Sequence, residues 1–489
     1  MRTIRDSMVL GVSAAAVATA LLAGGTARAA DITITMAAPD WPPTRFMKEE
    51  FDRSYQSPDG HNTVLDIDFI PWPSFYERVA ASLASGEQKY QMIVTDSQWL
   101  GAFVEGGYYM DLTDLMTADP ELTAIMKDLH PALVSAYSTY PHKSKDYIAE
   151  NDFPAPDTRY FGFPQFPDTY VTYYREDLFC HEGEAAAFQE KYGEALPCTY
   201  EEWQNVDWDT FRNIGEFFRR AKGEPLGDGV ADDDFYGIAY QAGKGYDFST
   251  MAINAFIWQY GGNIWDETQA PTGHAEGVVN SPEAVKALEH YLKLTQYMPP
   301  VVKTGGMDIF KTDELFREGK VASNIEWIGF AESSINPETS KVADVVAFAQ
   351  APGLKVDGEI VRWANIGGQP FVIMTWANDT QIKEAVDFVK WWLSPEVQHQ
   401  FAAQGGQSAI KSVYEDPKYV TYRPWNRTWA PGLDWQKDTW HIPEFFELLV
   451  QGQEQYDLAI TGKQDAKTTL DNIAAFQEDL LSEAGHIED

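Results

Sequence analysis

The stretch YFGFPQFPDTYVTYYREDLF, Tyr160 to Phe179, divides the chain. Before it, alternating apolar segments and helical stripes take turns; after it, the same pattern starts afresh. Its second half reads as a strand, with Val171 and Tyr173 on one face and Tyr170, Thr172 and Tyr174 on the other. Pro164 and Pro167 offer no amide hydrogen to a ladder, so the first half is expected to lie outside regular strand interior. A stiff ribbon between two restarting patterns implies two units joined by a crossing. Length agrees, because 489 residues exceed what one hydrophobic core sustains.

The pattern itself sets the fold class. In DITITMAAPDW, Ile32, Ile34 and Met36 alternate with threonines, and a helical stripe of Met47, Phe51 and Tyr55 follows. TVLDIDFIPW alternates again, PSFYERVAASLASGE repeats at helical spacing, and YQMIVTDS is a third strand. Strand–helix alternation of this kind predicts α/β layers with a mostly parallel sheet. In such sheets ligands bind beyond the carboxyl ends of the strands. The loops there are APDWPP, PWPS and TDSQW, and each carries a tryptophan: Trp41, Trp72 and Trp99. The third also offers Asp96, Ser97 and Gln98, while Trp99 sits inside its helix and is expected in the core.

Residues 1–29 form a different object. Arg2 and Arg5 precede an apolar, small-residue run, and Ala27-Arg28-Ala29 closes it, so a secretory signal peptide cleaved after Ala29 is expected. Export places Cys180 and Cys198, the two cysteines, in an oxidising compartment, where they can pair and close a loop worth about 3 kcal/mol. The formal charge of −37 argues against nucleic acid and anionic membranes as partners. It suits a cationic ligand or a salty habitat. The histidines are scattered without a zinc-binding spacing, and neither a Gly-x-Ser-x-Gly elbow nor a phosphate-binding glycine loop occurs. The aspartates of 227–237 lack the twelfth-position glutamate of a calcium loop. No cofactor or metal is called for, and no carboxylate pair stands out as catalytic.

Several blocks carry a resemblance: IVTDSQWLGAFVEGGYYMDLTDLM, YFGFPQFPDTYVTYYREDLF, TYEEW, SPEAVKALEHYLKL, FREGKVASNIEWIGF, GGQPFVIMTWANDTQIKEAVDFVKWWLSPEVQHQFAAQGG and AITGKQDAKTTLDNIAAFQEDLL. In this order they resemble the extracellular solute-binding proteins of family 1, the maltose-binding-protein-like carbohydrate receptors of ABC importers. The resemblance implies a two-lobe α/β periplasmic binding fold of type II. Lobe 1 would hold 30–164 plus 353–410, and lobe 2 would hold 170–346 plus 411–489. The hinges would be 165–169 and 347–352, with ligand in the cleft between lobes. The chain is longer than many members, with extra residues in 117–159, 180–198 and 411–440.

The implied function is capture of a sugar, oligosaccharide or polyol in the periplasm, with delivery to ABC permease subunits and through them to the ATPase. A monomer that is not an enzyme is implied. Aromatic rings suit the C–H faces of such ligands, and carboxylates and amides suit their hydroxyls. Trp41, Trp72, Tyr246 and Trp327 are the stacking candidates. Asp96, Ser97, Gln98, Asp168, Tyr170, Glu326 and Gln369 are the polar ones, and Gly367 and Gly368 would let a ligand approach the backbone. The alternatives are a cationic amine in the same fold, or a secreted carbohydrate-active enzyme.

Overall fold

The computed structural model describes residues 31–266 and 273–487. The signal-peptide expectation, 1–29, lies outside the described residues. The main strands are β1 (Asp31–Pro39), β2 (Asn62–Ile70), β3 (Met92–Val94), β4 (Gly162–Asp168), β5 (Tyr170–Arg175), β6 (Tyr236–Ala239), β7 (Val321–Trp327), β8 (Val346–Gln350) and β9 (Gly367–Ile373). They build two sheets. The first runs β2–β1–β3–β9–β4 and the second β8–β5–β7–β6.

Within the first sheet β1 is parallel to β2 and β3, while β9 is antiparallel to β3 and β4. In the second, β6 and β7 are parallel and β5 is antiparallel to both neighbours. The sheets are therefore mixed rather than mostly parallel. The departure comes from the strands at the crossings, which enter a sheet by a connection between lobes instead of a local strand–helix–strand turn.

The proline ribbon is a strand. Pro164 and Pro167 lie within β4, which sits at the edge of its sheet and pairs on one side only, with β9. The register slips between Gln369 and Pro370, so Pro370 faces Pro164. Edge position and irregular register are the settings that tolerate a missing donor. The first crossing narrows to Thr169, between the end of β4 and the start of β5.

The second crossing also moves. Residues 347–350 belong to β8 in the second sheet. Residues beyond it still pack on that lobe: Arg362 Nη2 donates to the Gln204 carbonyl at 2.7 Å, and Gln259 Nε2 donates to the Trp363 carbonyl at 3.0 Å. The first sheet resumes only at Gly367. A hairpin, Leu354–Val356 with Glu359–Val361, occupies the interval where lobe 1 was expected to begin.

Helices pack as the apolar spacing dictates. Helix Pro42–Ser54 buries Met47 and Phe51 and starts on prolines. Helix Phe248–Gln259 is buried along its whole length, and Trp99 is fully buried, as its helical position predicts. Trp425 and Trp429 of the 411–440 stretch are core residues, and helix Asn426–Leu433 ties both lobes: Trp429 Nε1 donates to Ser408 O at 2.8 Å and Thr428 O accepts from Gln350 Nε2 at 2.9 Å. Among the described residues, no helix is long and apolar enough to cross a membrane.

Cys180 and Cys198 are joined in a disulfide with a sequence separation of 18. Its loop encloses helix Glu182–Tyr192, and Tyr174 donates a hydrogen bond to the Cys198 carbonyl at 2.9 Å. Replacing both cysteines by serine is expected to cost about 2 to 3 kcal/mol of unfolding free energy. Urea denaturation of variant and parent, each without ligand, measures it; an unchanged midpoint would assign the bridge no stabilising role.

Candidate functional site

The turns after β1, β2 and β3 meet at one edge of the first sheet, because these strands run parallel. Facing them across a cleft of about 520 Å³ are residues that follow β6 and β7. The first lobe contributes Asp40, Trp41, Trp72, Asp96, Ser97 and Gln98 to the wall. The crossings contribute Phe166, Asp168, Ile366, Gly367, Gly368 and Gln369. The second contributes Asp247, Met251, Phe310, Arg317, Trp327, Gly329, Phe330 and Asn336, among others.

Most of the residues singled out in the sequence thus share one cavity. Trp41 and Trp72 lie with ring centroids 4.7 Å apart, tilted by 39°. Trp327 stands opposite, at the end of β7. Three of the named residues sit elsewhere. Tyr170 is 2 % exposed and stacks beneath Trp327, with centroids 3.9 Å apart. Its hydroxyl donates to Gln241 Oε1 at 3.0 Å, and Gln241 Nε2 donates to Glu326 Oε1 at 2.8 Å. Glu326 is fully buried, and burial pushes its carboxyl well above the usual range. Tyr170 and Glu326 therefore form a buried network that supports Trp327 instead of facing the cleft. Tyr246 meets Trp72 edge-on at 5.4 Å, accepts a hydrogen bond from Trp99 Nε1, and is not on the wall.

The two glycines serve the protein's own packing. A Cβ at Gly367 would lie 2.4 Å from the Trp327 ring, and one at Gly368 would lie 1.8 Å from the Phe166 carbonyl oxygen. The space expected for ligand is taken by the indole and by the β4 backbone. Gly368 also has φ +87°, the left-handed region in which side chains are strained. Gly368→Ala is expected to destabilise the protein by on the order of 2 kcal/mol, since the colliding atom is backbone and cannot rotate away. Thermal unfolding without ligand measures this; an unaltered melting temperature would mean the crossing shifts freely.

The polar wall is rich in acceptors. Asp96 caps the turn at Ser97–Trp99, accepting from Gln98 N at 3.0 Å. Gln98 Nε2 reaches across the cleft to Asp247 Oδ2 at 3.4 Å. Burial raises the Asp96 carboxyl well above its ordinary value, and the neighbouring Asp247 raises it further. Burial likewise lifts Asp247 to about 7. Asp168 is raised to about 8 by burial, against the opposing hydrogen bonds from backbone N–H groups of Thr169 and Gly329. The Gly329 contact makes Asp168 a strut from the first crossing to the second lobe. Gln98 Oε1 and Gln369 Oε1, on side chains 4 % and 2 % exposed, have no hydrogen-bond partner. Buried orphans of this kind mark places where a ligand or water supplies the donor.

Sequence reading missed Asp40, Asp247, Met251 and the outer rim of Phe310, Arg317 and Asn336. Asp247 follows Tyr246 at the start of a helix after β6, the same strand-end position that singled out Trp41. The rim residues sit on helices and turns with no such signal.

Comparison with known proteins agrees with this geometry. The profile of the family described as bacterial extracellular solute-binding protein matches residues 38–399. A mannitol-binding protein of Pseudomonas aeruginosa is 25% identical over 193 residues, 39% of this chain; the match spans 36% of that protein's length. Solved structures share the fold. A solute-binding protein of Agrobacterium radiobacter K84 in complex with ribitol superposes with TM-score 0.68 at 21% identity, over 92% of this chain and 98% of that one. One from Agrobacterium vitis S4 with bound D-mannitol gives 0.67 at 18%, covering 93% and 99%. A maltose-bound protein of T. maritima gives 0.67 at 21%, covering 92% and 100%. With the profile matched over most of the sequence and the two-lobe cleft in place, the chain belongs to the bacterial extracellular solute-binding proteins.

Proposed function

We propose that this protein is the periplasmic receptor of an ABC importer and captures a sugar, oligosaccharide or polyol between its lobes. The observation that carries the reading is the make-up of the cleft: three indoles, Trp41, Trp72 and Trp327, share its wall with Gln98 and Gln369, whose Oε1 acceptors are unpartnered. Indoles cover the C–H faces of a carbon chain or ring. The acceptors, with Asp96, Asp168 and Asp247, take the hydroxyl donors. A ligand that leaves such buried groups unpaired forfeits their desolvation cost, which gives selectivity.

The ligands bound by the structural relatives, ribitol, D-mannitol and maltose, fall in the same chemical class. Export through the signal peptide would bring the receptor to the periplasm. The closed, loaded form would then dock on the permease pair, whose ATPase drives release. Contacts such as Tyr76 stacked on Phe446 at 4.5 Å are ones that a hinge motion at the crossings would make and break.

A thermal-shift screen tests the reading. Binding to the native state alone stabilises by about 2.7 kcal/mol at a hundredfold excess over Kd. At least one alditol, monosaccharide or oligosaccharide is expected to raise the melting temperature by a few degrees. If none does while a compound without hydroxyls does, the carbohydrate reading fails.

A further inference from the structure

The acids on the cleft wall are not equivalent. Asp40 binds Arg45 Nε at 2.6 Å, Asp313 binds Arg317 Nε at 2.7 Å, and Glu332 binds Arg423 Nε at 2.8 Å. Asp168 is held by backbone N–H groups. Two carboxyls remain without a cation among the described residues: Asp96 from the first lobe and Asp247 from the second. Gln98 joins them, its backbone N–H on Asp96 and its side-chain Nε2 on Asp247. The remaining polar atom of its side chain, Oε1, is a buried acceptor without a partner. The pair and the orphan together present acceptors only. Arg317, the one cationic side chain on the wall among the described residues, is committed to Asp313 and to the Thr339 carbonyl at 2.8 Å.

Neutral hydroxyls can satisfy acceptors, but they leave two carboxylates facing each other in a water-poor cleft. Like charges brought together by closure cost free energy unless one is neutralised. A proton is one way; a cationic group on the ligand is another, and it also supplies donors to Gln98 Oε1. Building on the carbohydrate reading above, we propose that Asp96, Asp247 and Gln98 form a subsite for a protonated amine on a polyhydroxylated ligand, an amino sugar or amino-alditol. The indoles would hold the carbon framework while the ammonium sits between the two acids, tying one lobe to the other. A charge-assisted contact to both lobes stabilises the closed form specifically, since it cannot be completed while they are apart.

The test is calorimetric titration of matched pairs: 1-amino-1-deoxyalditols and 2-amino-2-deoxyhexoses against their hydroxyl parents, at pH 7.5. At least one amine is expected to bind about tenfold or more tightly than its parent. In Asp247→Asn and Asp96→Asn, whose amides keep the shape and the cap, that ratio is expected to fall to about one. Parents binding as tightly as every amine would overturn the subsite and leave the carbohydrate reading standing. So would a preference that survives both substitutions. If neither amines nor parents bind, the subsite proposal fails, and the carbohydrate reading stands or falls with the thermal-shift screen. The wild-type protein gives an independent measure should the variants fold poorly. Titration at pH 6 in buffers of different ionisation enthalpy is expected to show proton uptake with the parents and none with the amines; equal uptake by both would count against the proposal.

Discussion

Replacing Trp327 by alanine is expected to lower affinity for the bound solute about a hundredfold, roughly 3 kcal/mol, the range of a central aromatic anchor. The indole shares the second lobe's apolar wall with Met251, Phe310 and Phe330, and its position is fixed from three sides. Tyr170 stacks beneath it, Gly367 lets it lie against the crossing, and Tyr173 donates a hydrogen bond to its carbonyl at 2.5 Å. A plate held this firmly loses little freedom when a ligand docks, so its contact area converts efficiently into affinity. Removing it also leaves Tyr170 facing a void. Trp327→Phe retains a smaller plate and is expected to lose about tenfold or less. Calorimetry with the best solute from the thermal-shift screen decides. If the alanine variant folds with an ordinary melting transition and keeps its affinity within about threefold, Trp327 is structural and the stacking surface lies elsewhere.

Much of this site was legible because strand ends are where α/β folds bind ligands. Trp41, Trp72 and the Asp96–Gln98 turn follow β1, β2 and β3 directly, so a strand assignment was enough to nominate them. Tyr170 and Glu326 show the limit of that logic. Alternation reveals which way a side chain points only when one face of the strand is solvated. Both β5 and β7 are buried nearly throughout, so their sequences read as continuous apolar or polar mixtures, and the cleft-facing member of a pair such as Tyr170 and Trp327 has no mark. Direct register pairing put Trp327 on top of Tyr170, and register is a property of the folded sheet.

The crossings were misplaced for a related reason. Proline excludes a central strand but not an edge strand, and nothing local says which strand will be at an edge. The proline-rich β4 is at the edge because β9 enters from a distant segment and takes the inner place beside β3. The hairpin at 354–361 falls where the resemblance implied the return to the first lobe. Its flanks assign it to the second lobe: the Gly353 carbonyl before it accepts from Trp208 N at 3.0 Å, and Arg362 and Trp363 after it bond Gln204 and Gln259.

Acidity is the property of the cleft with the clearest solution signature. Affinity for a neutral polyol is expected to fall as pH rises from 5 to 7, by up to tenfold per unit for the proton on Asp247. An Asp247 carboxyl opened to water would titrate near the ordinary aspartate value of about 3.9. In the closed form Asp247 is raised to about 7, by burial first and then by Asp438. Between those values the closed form holds a proton that the open form has lost, so closure takes up a proton and weakens as pH rises. Above 7 Asp247 is ionised in both forms and its contribution ends. The groups acting on the pair are Asp438, itself bound to His441 at 2.8 Å, and the phenols of Tyr246 and Tyr137, whose own ionisation burial pushes far above this range. A ligand amine removes the need for the proton, so its affinity is expected to stay level from pH 5 to 7. The two profiles therefore diverge with pH, and the ratio of amine to parent affinity grows by up to two orders of magnitude over that window. Parallel profiles would show that the carboxyl pair is not what closure buries.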